Sequence, residues 1–160
     1  MRVVGTGMGV VSPIGIGTDQ FWTAAVNGVS GIQEVKSFDA SGQRSKIAGE
    51  IKDFNPATFL SAKYIEQTDR FTQLALLATS LALEDAGGLD AYAPQRLAVS
   101  IGSGMGGFST FESSATRNFR NQPIPPFTVP RTMATSAAAW IAIKHRMKGG
   151  KRTCSTACAS

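Results

Sequence analysis

Thr153-Cys154-Ser155-Thr156-Ala157-Cys158-Ala159-Ser160 is the stretch on which the reading of the fold turns. Thr153 to Ala157 reads as a short strand, and Cys158 follows it among small residues. Small neighbours permit the sharp reversal of a strand-to-helix elbow. A helix beginning there would present its positive end to the sulfur and favour the thiolate. Cys154, three residues earlier, reads as a small buried core side chain, the commoner fate of a single cysteine. A C-x3-C pair with one histidine in the chain, His145, cannot assemble a four-ligand zinc site. His145 itself reads as a surface residue on a basic helix.

Working outward, strands and helices alternate in the manner of an α/β protein. Residues 2–11 read as a first strand ending in Ser12-Pro13-Ile14-Gly15. Thr18 or Asp19 is expected to cap a short helix with Phe21/Ala25 and Trp22/Val26 at i,i+4, closed by Gly28. Residues 29–46 read as loop, Ile47 to Ile51 as a short strand, and Asn55-Pro56 as the opening of a brief helix. The clearest helix starts at Thr68-Asp69. Its apolar stripe is Phe71, Leu74, Ala75, Ala78, Leu81 and Ala82, and Gly87-Gly88 stop it. Leu97 to Ile101 is a compact strand. Residues 113–130 carry Pro123, Pro125, Pro126 and Pro130 and are expected to form a long shaped loop. An Ala-rich helix is expected from Thr132 to Met147, ended by Gly149-Gly150.

At 160 residues and 42% hydrophobic, the chain has the size and composition of one globular domain. No run of 18 apolar residues occurs, which argues against a membrane span. The N-terminal stretch lacks the pattern of a signal peptide, so the expected address is the cytoplasm, with both cysteines reduced. Charge is polarised along the chain. Residues 1–112 hold eight Lys/Arg against eleven Asp/Glu, whereas residues 113–160 hold eight Lys/Arg and no acid. Such a basic segment fits an acidic partner, be it nucleic acid, a phosphorylated cofactor or an acidic protein; it equally fits an acidic remainder of the molecule.

Gly102-Ser103-Gly104-Met105-Gly106-Gly107 contains Gly-x-Gly-x-x-Gly directly after a strand. A dinucleotide site also needs an acidic residue about 20 positions on to hold the ribose, and no acid follows Glu112. The glycines are therefore read as letting backbone pass close to a substrate or to neighbouring backbone. An NAD(P)-dependent oxidoreductase is disfavoured on the same ground.

Taken together, these segments resemble the β-ketoacyl-ACP synthases of the thiolase-like superfamily. Ser155-Thr156-Ala157-Cys158-Ala159-Ser160 looks like their active-site peptide. Arg2 to Gly15 resembles the opening strand and turn, and Phe21-Trp22 with Gly28-Val29-Ser30-Gly31-Ile32 the first helix and its exit. Asp69-Arg70-Phe71-Thr72-Gln73 and Ala82-Leu83-Glu84-Asp85-Ala86-Gly87 resemble the two ends of the long helix, and Gly102 to Gly107 the glycine-rich strand end. The motifs stand in the family's order across essentially the whole chain.

The resemblance implies the N-terminal half of a thiolase-like α/β fold, a mixed sheet with helices on both faces. It implies a domain spanning 1–160 that is cut just past the nucleophile, with the C-terminal half absent. It implies acyl transfer to Cys158 and decarboxylative condensation with malonyl-ACP, in fatty acid or polyketide-like biosynthesis. Covalent catalysis divides the carbon–carbon bond formation into two easier steps. Cys158 is then the catalytic nucleophile and a backbone oxyanion donor. Met105 would line the acyl pocket, and Phe127 would lie in the segment reaching a dimer partner's pocket. Neither metal nor bound cofactor is implied, because the substrates ride on the phosphopantetheine arm of acyl carrier protein. The partners implied are that carrier and a second subunit, identical or related, with no nucleic acid and no membrane. The family's two histidines and lysine for decarboxylation lie beyond the nucleophile, so these 160 residues alone are expected to lack condensing activity. Tyr64-Ile65-Glu66-Gln67-Thr68 stands where basic carrier-docking residues are usual, which turns attention to the 113–152 cluster. Met133 to Ala137 lacks the asparagine found in many members, and Gly150 stands where proline is common. A non-catalytic chain-length-factor-like partner is the alternative; such proteins typically lack the cysteine.

Overall fold

In the computed structural model, which describes residues 2–160, the chain divides into two compact units. One comprises residues up to Asn55 together with Ser80–Gly88; the other comprises Pro56–Thr79 and Leu89–Ser160.

In the first unit a tight antiparallel hairpin joins β1 (Val11–Ser12) to β2 (Gly15–Ile16). The Ser12 hydroxyl donates to Gly15 O at 3.1 Å and accepts from Ile14 N at 3.3 Å, so the turn is closed by its own side chain. Of residues 2–11, expected as one strand, only Val11 lies in a strand, because no neighbouring strand among the described residues pairs with residues 2–10. Helix α1 (Thr18–Val26) is entered through Gly17 at φ 95°, and neither Thr18 nor Asp19 caps it. The Thr18 hydroxyl instead points to Met8 O at 3.5 Å. Gly28, at φ 68°, ends the helix as expected. Strands β3 (Ile32–Glu34) and β4 (Ile47–Gly49) pair antiparallel. The sequence reading missed β3, since Ile-Gln-Glu carries little strand signal without its partner. The last turns of α3 (Arg70–Asp85) also belong to this unit: a Cβ on Gly7 would fall 2.3 Å from Ala82 O, and Met8 N donates to Asp85 at 2.8 Å.

The second unit is built around the parallel pair β5 (Val99–Gly102) and β6 (Lys151–Cys154), with Val99 opposite Lys151 and Gly102 opposite Cys154. Helix α6 (Ser136–Lys144) lies against both strands. Its buried face is Ala137, Ala138, Ile141 and Ala142. With Leu60, Leu76 and Val99 three of these form the core cluster, and Tyr64 and Trp140 meet edge to face at 5.2 Å beside it. The start of α3, a short helix α2 (Ala62–Gln67) that the sequence reading missed, and helices α4 (Phe108–Phe119) and α5 (Thr128–Thr132) complete the unit. Among the described residues the strands form three two-stranded sheets, one parallel and two antiparallel. No helix among the described residues is long and apolar enough to cross a membrane.

Three expectations are corrected here. The residues of α3 that are buried are Thr72, Gln73 and Leu76, while the apolar stripe read from the sequence is only partly buried. Gln73 earns its place by donating to Ile65 O and Thr68 O, which satisfies its amide inside the unit. The segment 113–130 is not one long loop, because α4 runs to Phe119 and the irregular part shrinks to 120–127. Asn121, at φ 53°, turns the chain out of α4, and Pro130 sits in the first turn of α5, where no helical N–H is needed. Finally, α6 stops at Lys144 rather than running to Met147, with Arg146 in the left-handed conformation at φ 54° and Met147 N bonded back to Ala142 O. Gly149 has another role: a Cβ there would lie 2.4 Å from Leu97 O, so the glycine lets the chain pass the foot of β5 on its way into β6.

His145 follows α6 as its C-terminal cap, partly buried rather than on the surface. Its Nε2 is buried and has no hydrogen-bond partner among the described residues. Burial, and then the neighbouring Lys144 charge, hold its pKa below the ordinary histidine value. The unfolded chain therefore takes up this proton before the folded one does. Stability contributed by neutral His145 is complete above the unfolded value near 6.5 and is lost as pH falls towards the lower folded value. Urea denaturation between about pH 7 and pH 5.5 should show stability declining with acidity. His145→Leu should flatten that decline; an unchanged slope would place the titration elsewhere.

Candidate active site

Cys158 lies just beyond β6, in a single 3-10 turn over Ala157–Ala159. Strand β6 runs from Lys151 to Cys154, so the strand ends three residues before the Ala157 expected from sequence. At the first position of the turn, Ala157 adopts φ 53°, a left-handed conformation costing about 1–2 kcal/mol for a residue with a Cβ. Strain of this kind persists where surrounding contacts over-determine it, and it gathers at sites that do chemistry. Several contacts do so here. Thr156 N donates to Ser160 Oγ at 2.7 Å, and Ala159 N and Ser160 N donate to Thr156 O and Ala157 O. The result is a tight elbow with both cysteines free and exposed. Cys154 is thus not the buried core residue that its sequence position implied. It occupies the strand's last position with Sγ 3.7 Å from the Thr156 hydroxyl.

The elbow is tied to the glycine segment. Ser103 N donates to Cys154 O at 2.9 Å, extending the β5–β6 ladder by one bond. Ser160 Oγ donates to Ser103 O at 3.1 Å, and Ser155 Oγ approaches Gly104 O at 3.5 Å. A Cβ on Gly102 would stand 3.0 Å from the Ser160 carbonyl carbon. Gly106, at φ 69°, and Gly107 press against the segment leading into α6. A Cβ on Gly106 would meet Ala134 Cα at 2.8 Å, and one on Gly107 would meet Arg131 O at 2.1 Å. The glycines therefore do admit neighbouring backbone, as expected, with Gly104 as the exception, its Cβ position open.

Of the residues singled out from sequence, Cys158 and the glycine segment are brought together through these bonds. Met105 sits within that segment and is 66% exposed, so the described residues do not enclose it. Phe127 stands at the entry of α5, partly buried, with its carbonyl accepting from Arg131 N. No group of three or more potential metal ligands occurs among the described residues. Sequence reasoning missed Asp69 as a structural centre: it is 4% exposed, and its carboxylate accepts from Phe71 N and from both Thr110 N and the Thr110 hydroxyl. Its place immediately before a clear helix was a usable capping signal, but Thr110, 41 positions away, was not foreseeable.

A free, exposed cysteine on a strained elbow just beyond a parallel strand, tied to a glycine-rich segment from the adjacent strand, stands in an α/β protein. The chain belongs to the β-ketoacyl synthase family, whose N-terminal domain matches residues 1–160. It is 38% identical over 160 residues to the 3-oxoacyl-[acyl-carrier-protein] synthase 2 of Coxiella burnetii, covering 98% of this chain and 39% of that protein. The chain thus spans about two fifths of the length of this curated relative. Among solved structures it superposes on the ishigamide ketosynthase/chain length factor with TM-score 0.86 at 26% identity, covering 96% of this chain and 39% of that one. A type II PKS acyl-carrier protein in complex with its ketosynthase, bound to the hexaketide, shares the fold, with TM-score 0.74 at 15% identity. That match covers 96% of this chain and 41% of the other.

The two kinds of glycine in the segment separate in a stability measurement. Gly106→Ala combines a left-handed φ with contacts to backbone that cannot yield, and should cost about 2 kcal/mol or more in urea denaturation. Gly104→Ala meets open space and should stay within about 0.5 kcal/mol of wild type. Equal effects at the two positions would contradict the packing described.

Proposed function

We propose that this chain supplies the nucleophile-bearing N-terminal domain of a 3-oxoacyl-[acyl-carrier-protein] synthase, with Cys158 as the acylated thiol. The observation carrying the reading is an exposed cysteine on a left-handed elbow, in a chain of the β-ketoacyl synthase family. In the first step the Cys158 sulfur attacks the thioester carbonyl of an acyl carrier, and the carrier's thiol leaves. In the second, malonyl carrier loses carbon dioxide, and the resulting enolate attacks the acyl-Cys158 carbonyl. The carbon–carbon bond forms, the cysteine leaves as thiolate, and a 3-oxoacyl carrier is the product.

The groups proposed to drive decarboxylation are the two histidines and the lysine that the family resemblance places after the nucleophile. Acyl carrier protein is the proposed partner. The relative's name carries that carrier, and the acid-free stretch from 113 to 160, with Arg117, Arg120, Arg131, Lys144, Arg146, Lys148, Lys151 and Arg152, suits an acidic protein. No bound cofactor is proposed beyond the phosphopantetheine arm carried by the substrates. The working state is a dimer with an identical or related subunit, and Phe127 lies in the segment proposed to reach the partner's pocket. Met105 is proposed to line the acyl pocket once the remainder of the fold covers it.

Cerulenin labelling of the full-length protein tests the nucleophile. Cys158→Ala should abolish labelling and Cys154→Ala should retain it; the reverse pattern would transfer the role to Cys154. Met105→Phe tests the pocket, because overpacking a filled site costs about 1–3 kcal/mol. The longest acyl chain accepted should shorten, and an unchanged chain-length profile would remove Met105 from the pocket wall.

A further inference from the structure

The carboxylate of Asp69 is nearly inaccessible, at 4% exposure, and takes no part in the chemistry set out above. It closes the first turns of two helices at once. Phe71 N, in the first turn of α3, donates to Oδ1 at 3.2 Å, while Thr110 N, in the first turn of α4, donates to Oδ2 at 3.0 Å. The Thr110 hydroxyl is a third donor to Oδ2. Capping either helix by itself needs no buried charge, since an exposed serine or aspartate performs it. Burying a carboxylate is costly unless its acceptor sites are filled. What the shared group adds is a fixed relation between the beginnings of α3 and α4.

That relation bears on the cysteine because α4 begins directly after the glycine segment. Phe108 is its first residue, and Gly107 N is bonded to Thr132 O at 3.1 Å. Gly106 N donates to Ser103 Oγ at 3.0 Å, and Ser103 in turn holds Cys154 O and Ser160 Oγ through its own N–H and carbonyl. From Asp69 to the elbow each step is a hydrogen bond or a stretch of continuous chain. We propose that Asp69 is a positioning residue for the Cys158 nucleophile, acting through Thr110 and the start of α4 on the glycine segment that braces the elbow. The proposal rests on the reading of Cys158 as the acylated thiol. An acceptor-only group is required at position 69, because the amide of asparagine would direct N–H towards one of the donors it must satisfy.

The test uses the full-length enzyme and measures transfer of an acyl group from acyl carrier to the protein, with the labelled peptide identified by mass spectrometry. Asp69→Asn should lower the maximal acylation rate by about tenfold or more while the KM for acyl carrier stays within about twofold, since a displacement of about an ångström at a nucleophile is enough for such a loss. Thr110→Val keeps the carboxylate and the backbone donor and should show a smaller loss in rate, about threefold. Thr110→Ser restores the hydroxyl and should return the rate to the wild-type range. If Asp69→Asn does not fold, the Thr110 pair carries the test on the same terms. A lowered melting temperature with acylation of Cys158 at the wild-type rate would overturn the positioning role and leave the nucleophile assignment standing. An acyl group found on another residue would overturn both.

Discussion

Parallel pairing of β5 with β6 places Gly102 opposite Cys154, and the ladder continues one bond further through Ser103 N to Cys154 O. A parallel register is reached only by a long crossover, here the 48 residues between the two strands, which hold α4, α5 and α6. Both ends of that crossover depend on residues without side chains. Gly149 lets the returning chain pass the foot of β5, and Gly106 and Gly107 let the outgoing chain turn against the segment that precedes α6. A shift of one residue in this pairing would invert the faces of β6 and remove Cys154 and the elbow from the glycine segment.

The elbow then follows from local chemistry. Beyond the end of the strand Ala157 takes a left-handed conformation at φ 53°. Its methyl group is the smallest side chain short of glycine, and the Thr156–Ser160 bond holds the turn closed. The strain is small against the core cluster of Leu60, Leu76, Val99, Ala138, Ile141 and Ala142 in the same unit, where each large aliphatic buried is worth about 1.5–3 kcal/mol.

Polar groups in the second unit matter as much as apolar ones. Thr68, Asp69, Thr72 and Gln73 are all buried at the start of α3. Asp69 and Gln73 are satisfied by Phe71, Thr110, Ile65 and Thr68, contacts that couple α3 to α4 and to the end of α2. Such contacts are directional, whereas an aliphatic face tolerates sliding. A helix terminus that locates a loop is better held by a directional bond.

Local order along the chain was written into the sequence. The β-branched and glycine-bounded run at β5, the alanine pattern of α6, the glycine stop of α1 and the small residues around Cys158 each act over a few positions. So do the family motifs, whose residues stand close together and were legible in order. The tertiary structure decided the rest, for an equally physical reason: the deciding partner lay far away in the chain. Residues 2–10 looked like a strand, yet pairing depends on a neighbour. Helix α4 buries Thr110 and Ser114 while Phe108, Phe111 and Phe119 stay exposed, and the part of it from residue 113 on reads as loop in the sequence. Cys154 looked like core and is exposed, and His145 looked like surface and is partly buried. The Asp69–Thr110 contact joins residues 41 apart. Short-range chemistry names many of the elements, whereas burial and hydrogen-bond partners are long-range quantities that exist only once the chain has folded.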